Sequence, residues 1–309
     1  MPDVCEVVTG RFAPSPTGPL HLGNLRTALV AWLSARSRGG SFIVRMEDLD
    51  RVTSDQAFER AQLAELASLG VTWDGEVVRQ SERFDRYDAA IAELTNAGLT
   101  YECFCTRREI REAASAPHGE ATLRYPGTCR ALSRAELMER RRVGRPPALR
   151  LRTGGELVGF EDRIAGRFDG KVDDVVLRRN DGVPAYNVAV VVDDAAQGVT
   201  EVVRGDDLLS TTPSQIHLAR LLSLPVPSYA HVPLVLGPDG SRLAKRHGAV
   251  TLERLAERGR SPAEVLRWLA GSIGMPPGDP PATTAADLVG GFSVDQLPRD
   301  AWRLVVDDL

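Results

Sequence analysis

The stretch Arg11-Phe12-Ala13-Pro14-Ser15-Pro16-Thr17-Gly18-Pro19-Leu20-His21-Leu22-Gly23-Asn24 constrains this chain more than any other. It leaves a short apolar run, Cys5 to Phe12, and opens a helical pattern from Leu22 to Ser37 that Gly39-Gly40 ends. A second apolar strand follows at Ser41 to Met46. Next comes a helix from Ser54 to Leu69, with Phe58, Leu63, Leu66 and Leu69 on one side and Gly70 closing it. Strand, helix, strand, helix at this spacing predicts a parallel α/β sheet. In such a sheet the first strand-to-helix turn meets a nucleotide's phosphates with helix N-terminal N–H groups and the positive end of the helix dipole. The turn is not a Walker loop, since Gly-Lys-Ser or Gly-Lys-Thr is missing. Its prolines stiffen it, Gly18 permits an unusual backbone angle, and Gly23 lets a ligand approach the first helical turn. His21 and Asn24, three apart, share a helix face from which both can donate to a phosphoryl oxygen.

With 309 residues, 43% hydrophobic and 26% charged, the chain can bury a large core as two domains or as one with a big insertion. No apolar run approaches the ~20 residues that span a bilayer. Met1-Pro2-Asp3-Val4-Cys5 has no basic segment followed by an apolar one. The expectation is a soluble cytoplasmic protein with no membrane partner. A net charge of -4 speaks against a general nucleic-acid coat. It leaves room for a local basic face, either Arg140-Arg141-Arg142 with Arg145 or Arg107-Arg108 with Arg111.

From Val77 to Asp181 the texture changes to arginines, turns and clustered cysteines, as in an insertion with its own architecture. Val188 to Val192 reads as a buried strand and Thr200 to Val203 as another. Thr212-Pro213 reads as the cap and first-turn proline of a helix to Leu222. A basic loop, Asp239 to His247, precedes a mostly helical remainder, Val250 to Leu309, broken at Pro276 to Pro281. Cys5 reads as an ordinary buried thiol. In a reducing compartment, Cys103, Cys105 and Cys129 suggest a metal rather than disulfides. They make three soft ligands, one short of tetrahedral closure, with Tyr125 or His118 as the fourth. Chemistry alone favours His118, because phenolate is a rare zinc ligand.

The whole Arg11–Asn24 string resembles the signature of the glutamyl class of class I aminoacyl-tRNA synthetases, with His21-Leu22-Gly23-Asn24 at the HIGH motif. Arg242-Leu243-Ala244-Lys245-Arg246 resembles the family's second ATP loop, KMSKS. Lys245 then offsets charge on the leaving pyrophosphate, and Arg242 keeps the charge of the first lysine. Ala244 lacks a serine hydroxyl, a hydrogen bond worth ~1 kcal/mol. The resemblance implies His21, Asn24 and Lys245 as the catalytic set, and Thr17, Gly18, His21, Gly23, Asn24, Arg242 and Lys245 as the ATP site. Glutamate needs a carboxylate for its amine and an arginine for its side chain. Glu47 takes the first role and Arg11 the second, with Ala13, Ser15, Tyr186 and Arg204 as further glutamate contacts. Mg²⁺ is expected with the ATP, held mainly by phosphates and water.

The fold implied is α/β: a class I synthetase Rossmann-like parallel sheet with an inserted zinc-containing α+β subdomain and a C-terminal helical segment. Residues 1–76 and 186–249 form the ATP-binding halves, 77–185 the insertion, and 250–309 a helical remnant with no anticodon-binding domain. The Cys-x-Cys…Tyr-x-x-x-Cys arrangement and the short chain are similar to a truncated paralogue within this family. That likeness implies Cys103, Cys105, Tyr125 and Cys129 as ligands of one structural Zn²⁺, and a monomer. It also implies activation of L-glutamate by ATP without tRNA. Glutamate is then transferred to the queuosine cyclopentenediol of tRNA(Asp). Two alternatives are the catalytic part of an enzyme charging tRNA 3′ ends and a non-catalytic tRNA-binding module.

Overall fold

The computed structural model describes residues 7–106, 108–110, 124–237, 240, 250–276 and 278–304. Cys5, Arg107, Arg111, His118 and the KMSKS-like residues Arg242 and Lys245 lie outside them. β1 (Thr9–Phe12) and β2 (Ser41–Met46) pair in parallel from Thr9 against Ser41 to Phe12 against Val44. The connecting helix α1 (Leu22–Arg36) is buried along most of its length, because it packs on the sheet with one side and under the C-terminal segment with the other. Gly40 follows as a packing requirement: a Cβ there would lie 2.3 Å from the Val8 carbonyl oxygen.

α2 (Gln56–Ser68) starts at Asp55, whose carboxylate accepts the Ala57 N–H at 2.6 Å. Its buried face is turned from the expected one. Leu66 and Leu69 are inside as predicted, but Phe58 is exposed, and the polar Glu59 and Gln62 are buried in its stead. Both have partners that override hydropathy. Glu59 holds Arg79 of β3 (Val78–Arg79), and Gln62 holds the Pro-rich turn.

The next segment adds α3 (Phe84–Asn96), β4 (Thr100–Cys103), α4 (Arg134–Val143), β5 (Ala148–Leu151), β6 (Leu157–Asp162), β7 (Gly166–Lys171) and β8 (Val176–Arg178). Strands β4, β5 and β8 make a small antiparallel sheet. The β6–β7 hairpin instead joins the main sheet. With β9 (Glu201–Gly205) and β10 (Ser228–Val232), that sheet has the order β3-β2-β1-β9-β10-β6-β7. The inserted stretch is therefore only partly a separate structure.

Val188–Val192 is not a strand but the middle of helix α5 (Tyr186–Ala196). A five-residue apolar run fits either period, and burial between α3 and α6 (Thr212–Leu221) makes it apolar all round. Adjacent strand residues would send Asp193 and Asp194 to opposite faces, whereas on a helix both reach one cluster of cations. Thr212 is the first residue of α6 rather than its cap, because a 3₁₀ turn, Asp206–Thr211, runs straight into the helix.

After β11 (Val235–Leu236) and the undescribed loop come α7 (Leu252–Glu257) and α8 (Pro262–Ser272). Beyond Ser272 the expected helix gives way to 3₁₀ turns at Ala285–Gly291 and Val294–Gln296 and to β12 (Trp302–Arg303), which pairs with β11. Prolines from Pro276 onward remove helix donors, while Leu288, Val294, Leu297 and Leu304 still reach the core over α1. No helix of the described residues is long and apolar enough to cross a membrane.

Candidate active site

The Pro-rich turn stands over the ends of β1 and β2. Gln62 donates to the Ser15 and Gly18 carbonyls at 3.1 and 2.7 Å, and Glu65 accepts the Leu20 N–H at 3.1 Å. Gly18 does not adopt a left-handed angle; a Cβ there would project into open space at the cavity wall. At the start of α1, His21 and Asn24 form a reciprocal cap. His21 Nδ1 accepts the Asn24 N–H at 3.3 Å, and Asn24 Oδ1 accepts the His21 N–H at 3.2 Å. Since Nδ1 accepts, a neutral His21 carries its proton on Nε2, and Asn24 keeps its amide NH₂ as a donor. Gly23 leaves the His21 ring its place in this cap, because a Cβ would lie 3.0 Å from the ring and force it to shift.

A cavity of about 630 Å³ runs beneath this turn. Every described member of the expected ATP and glutamate sets lines it: Thr17, Gly18, His21, Gly23 and Asn24 from the turn, and Arg11, Ala13, Ser15, Glu47, Tyr186 and Arg204 from the strand ends and α5. Both flanks of the undescribed basic loop end at this cavity. Val235 lines it on one side; on the other, Val250 accepts the Leu22 N–H at 3.0 Å and Thr251 bridges to His21.

The charged floor of the cavity is buried. Arg11 donates to the Val203 carbonyl at 3.3 Å and lies 3.6 Å from Asp194. Arg45, fully buried, sits 2.8 Å from Asp194 and 3.6 Å from Glu47. Burial alone would lower the Arg45 pKa, but Asp194, Glu47 and Asp193 together hold it above its ordinary value. For Glu47 burial wins, raising its carboxyl above the usual carboxylate range against the pull of Arg45 and Arg11. Asp193 is held by Arg83 at 2.7 Å and by the Tyr87 hydroxyl at 2.6 Å. The buried Nε of Arg11 makes no hydrogen bond and faces the Asp194 carboxylate at 3.6 Å. Arg204 is anchored at three nitrogens: Nε to His231 at 3.1 Å, and the terminal pair to Gln215 at 2.8 Å and Thr212 at 2.7 Å.

A second cavity, about 780 Å³, shares Ser15, Glu47 and Tyr186 with the first and extends to Cys103 and Cys105, past Arg145 and Arg179. Sulfurs of Cys103, Cys105 and Cys129 lie within 4.8 Å of one another, and the Tyr125 hydroxyl is 3.4 Å from Cys103 Sγ and 3.7 Å from Cys105 Sγ. Ligands ~2.3 Å from a tetrahedral zinc stand about 3.8 Å apart, so these four donors fit that ion. Without one, burial pushes the Cys105 thiol up to about 11. Of the expected basic face, Arg141 and Arg142 are taken up by Glu102 and Glu139.

Sequence reasoning missed the residues beneath this surface. Gln62, Arg45, Asp193, Asp194, Asp162 and His231 are polar yet buried, and their partners are distant in sequence. Only Arg45 left a signal, a cation inside an apolar strand. Arg26 was missed as well. It ties α1 to the Pro233 carbonyl at 2.7 Å and to Ser272 of α8 at 3.1 Å, and burial lowers its pKa to about 10.

The family model described as tRNA synthetases class I (E and Q), catalytic domain, matches residues 6–305. The chain is similar to a glutamyl-Q tRNA(Asp) synthetase of Nocardia farcinica, with 59% identity over 97% of this chain and 94% of the relative. It is also similar to one of Symbiobacterium thermophilum, with 46% identity over 98% of both. Its structure resembles the glutamate-tRNA synthetase of Elizabethkingia anophelis, with a TM-score of 0.82 and 28% identity over 98% of this chain and 69% of that one. The chain is a ligase that belongs to the class I tRNA synthetases and, within them, to the glutamyl-Q tRNA(Asp) synthetases.

Proposed function

We propose that this enzyme joins L-glutamate to ATP as glutamyl-adenylate without tRNA, then passes glutamate to the queuosine cyclopentenediol of tRNA(Asp). The observation that carries this reading is one cavity in which a phosphate-binding turn faces a half-buried carboxylate, Glu47, and two buried guanidinium groups. Glu47 takes the substrate ammonium, while Arg11 and Arg204 take carboxylate. A carboxylate oxygen of glutamate attacks the α-phosphorus in line, and the bond to pyrophosphate breaks. His21 Nε2–H and the Asn24 amide donate to phosphoryl oxygens, with Lys245 and Arg242 brought in by the basic loop. Such positioned donors act on charge that grows in the transition state, and no covalent enzyme intermediate is needed. Mg²⁺ bound with ATP would supply further phosphate neutralisation. A diol hydroxyl then attacks the glutamyl carbonyl, the ester forms and AMP leaves.

The second cavity gives the acceptor a route to Glu47 and Tyr186 that the nucleotide does not use, past Arg145 and Arg179. Cys103, Cys105, Tyr125 and Cys129 would hold a zinc ion whose contribution is structural, closing a small core of Tyr101 and Phe104. The resemblance supports a cytoplasmic monomer. The test is transfer of labelled glutamate to queuosine-bearing tRNA(Asp) from which the 3′-terminal adenosine has been removed. Stable labelling is expected; labelling only of intact 3′ ends would make the chain a 3′-charging enzyme.

A further inference from the structure

Arg204 rests on a line of side chains that crosses three neighbouring strands. Its register partner on β10 is His231, and Asp162 closes β6 on the far side. An arginine Nε–H can only donate, so His231 Nε2 must be the acceptor at 3.1 Å. His231 Nδ1 therefore carries the proton and gives it to Asp162 Oδ2 at 2.6 Å. Asp162 is fixed in turn by the N–H groups of His231, Ile164 and Ala165 at 3.1, 3.0 and 2.8 Å. Thr212 Oγ1 stands 3.1 Å from the same His231 nitrogen. His231 and the Asp162 carboxylate are closed to solvent. Burial disfavours the imidazolium, and Arg204 opposes it further.

We propose that Asp162 and His231 are positioning residues for the glutamate site: Asp162 selects the His231 tautomer whose Nε2 can anchor Arg204, leaving the outer N–H groups of Arg204 aimed at a substrate carboxylate. Arg204 has five N–H groups and spends three on His231, Gln215 and Thr212. Because Asp162 belongs to the hairpin that the inserted segment adds to the sheet, seating of that hairpin sets the geometry of amino-acid binding. The inference rests on reading Arg204 as a glutamate contact.

The test is steady-state ATP–pyrophosphate exchange with D162N, H231A and the double variant D162N/H231Q, with thermal melts alongside. An Asn in place of Asp162 keeps its oxygen on the three backbone N–H groups and turns its NH₂ toward His231 Nδ1. The proton then moves to Nε2, which can still serve Thr212 but no longer accepts from Arg204. The glutamate KM of D162N is expected to rise about tenfold or more, as for loss of a hydrogen bond to a charged group, with the ATP KM within about twofold. H231A should do the same. H231Q, whose amide oxygen accepts at the Nε2 position whatever Asp162 does, should restore much of the glutamate KM in the D162N background. An unchanged glutamate KM in D162N or H231A, a parallel rise for ATP, or no rescue by H231Q would overturn the proposal. Wild-type protein without any glutamate-dependent exchange would instead sink the underlying reading of the site.

Discussion

Asn24 separates what the fold needs from what the reaction needs. Its Oδ1 closes the reciprocal cap with the His21 N–H at 3.2 Å, while its NH₂ is assigned to a phosphoryl oxygen. Asn24→Asp keeps the acceptor and places an anion in the first turn of α1, where no acidic residue now stands. That favours the helix dipole by about 0.3–1 kcal/mol. With an unfolding entropy near 2.1 cal/mol/K per residue over 309 residues, the Tm should hold or rise by about 1 °C. At the nucleotide the same change removes a donor, worth about 10²–10³ in kcat. It also sets a carboxylate against phosphate, costing about 4 kcal/mol at ~4 Å and an effective dielectric of ~20. The expected result is an N24D protein at least as stable as wild type with kcat/KM for ATP down by about 10³ or more. N24A should lose part of the cap and about 10²–10³ of activity. Exchange assays and calorimetry on the same preparations decide it. An N24D enzyme with near-wild-type exchange would show that Asn24 only caps α1.

Two further outcomes follow from the electrostatics. Glu47 must be ionised to bind an ammonium, and burial raises its carboxyl; kcat/KM for glutamate should therefore fall with decreasing pH through a value above ~4.3. E47Q should abolish that acid limb and lower kcat/KM by about 10² at neutral pH, while a limb that survives in E47Q would assign the titration elsewhere. Purified protein should hold about one zinc per chain by elemental analysis, and C105S should hold less than about half an equivalent and melt earlier; wild-type protein without zinc would refute the ligand set.

The lining of the cavity was legible from sequence because these residue types stand at strand ends or a helix start: Arg11 near the end of β1, Glu47 just past β2, His21 and Asn24 at the start of α1. Its support was not. Gln62 sits on what hydropathy reads as a polar face, and only the turn's carbonyls reveal why it is buried. Asp162, His231 and Arg204 lie far apart in sequence, and the sheet order alone brings them into line. Val188–Val192 misled because apolar runs this short carry no period.

The most direct test of glutamate activation in this cavity is glutamate-dependent ATP–pyrophosphate exchange on zinc-replete protein in the absence of tRNA. Exchange that requires L-glutamate and disappears in R11A and R204A is the predicted result. Exchange that appears only when tRNA is added, or none under either condition, would contradict it.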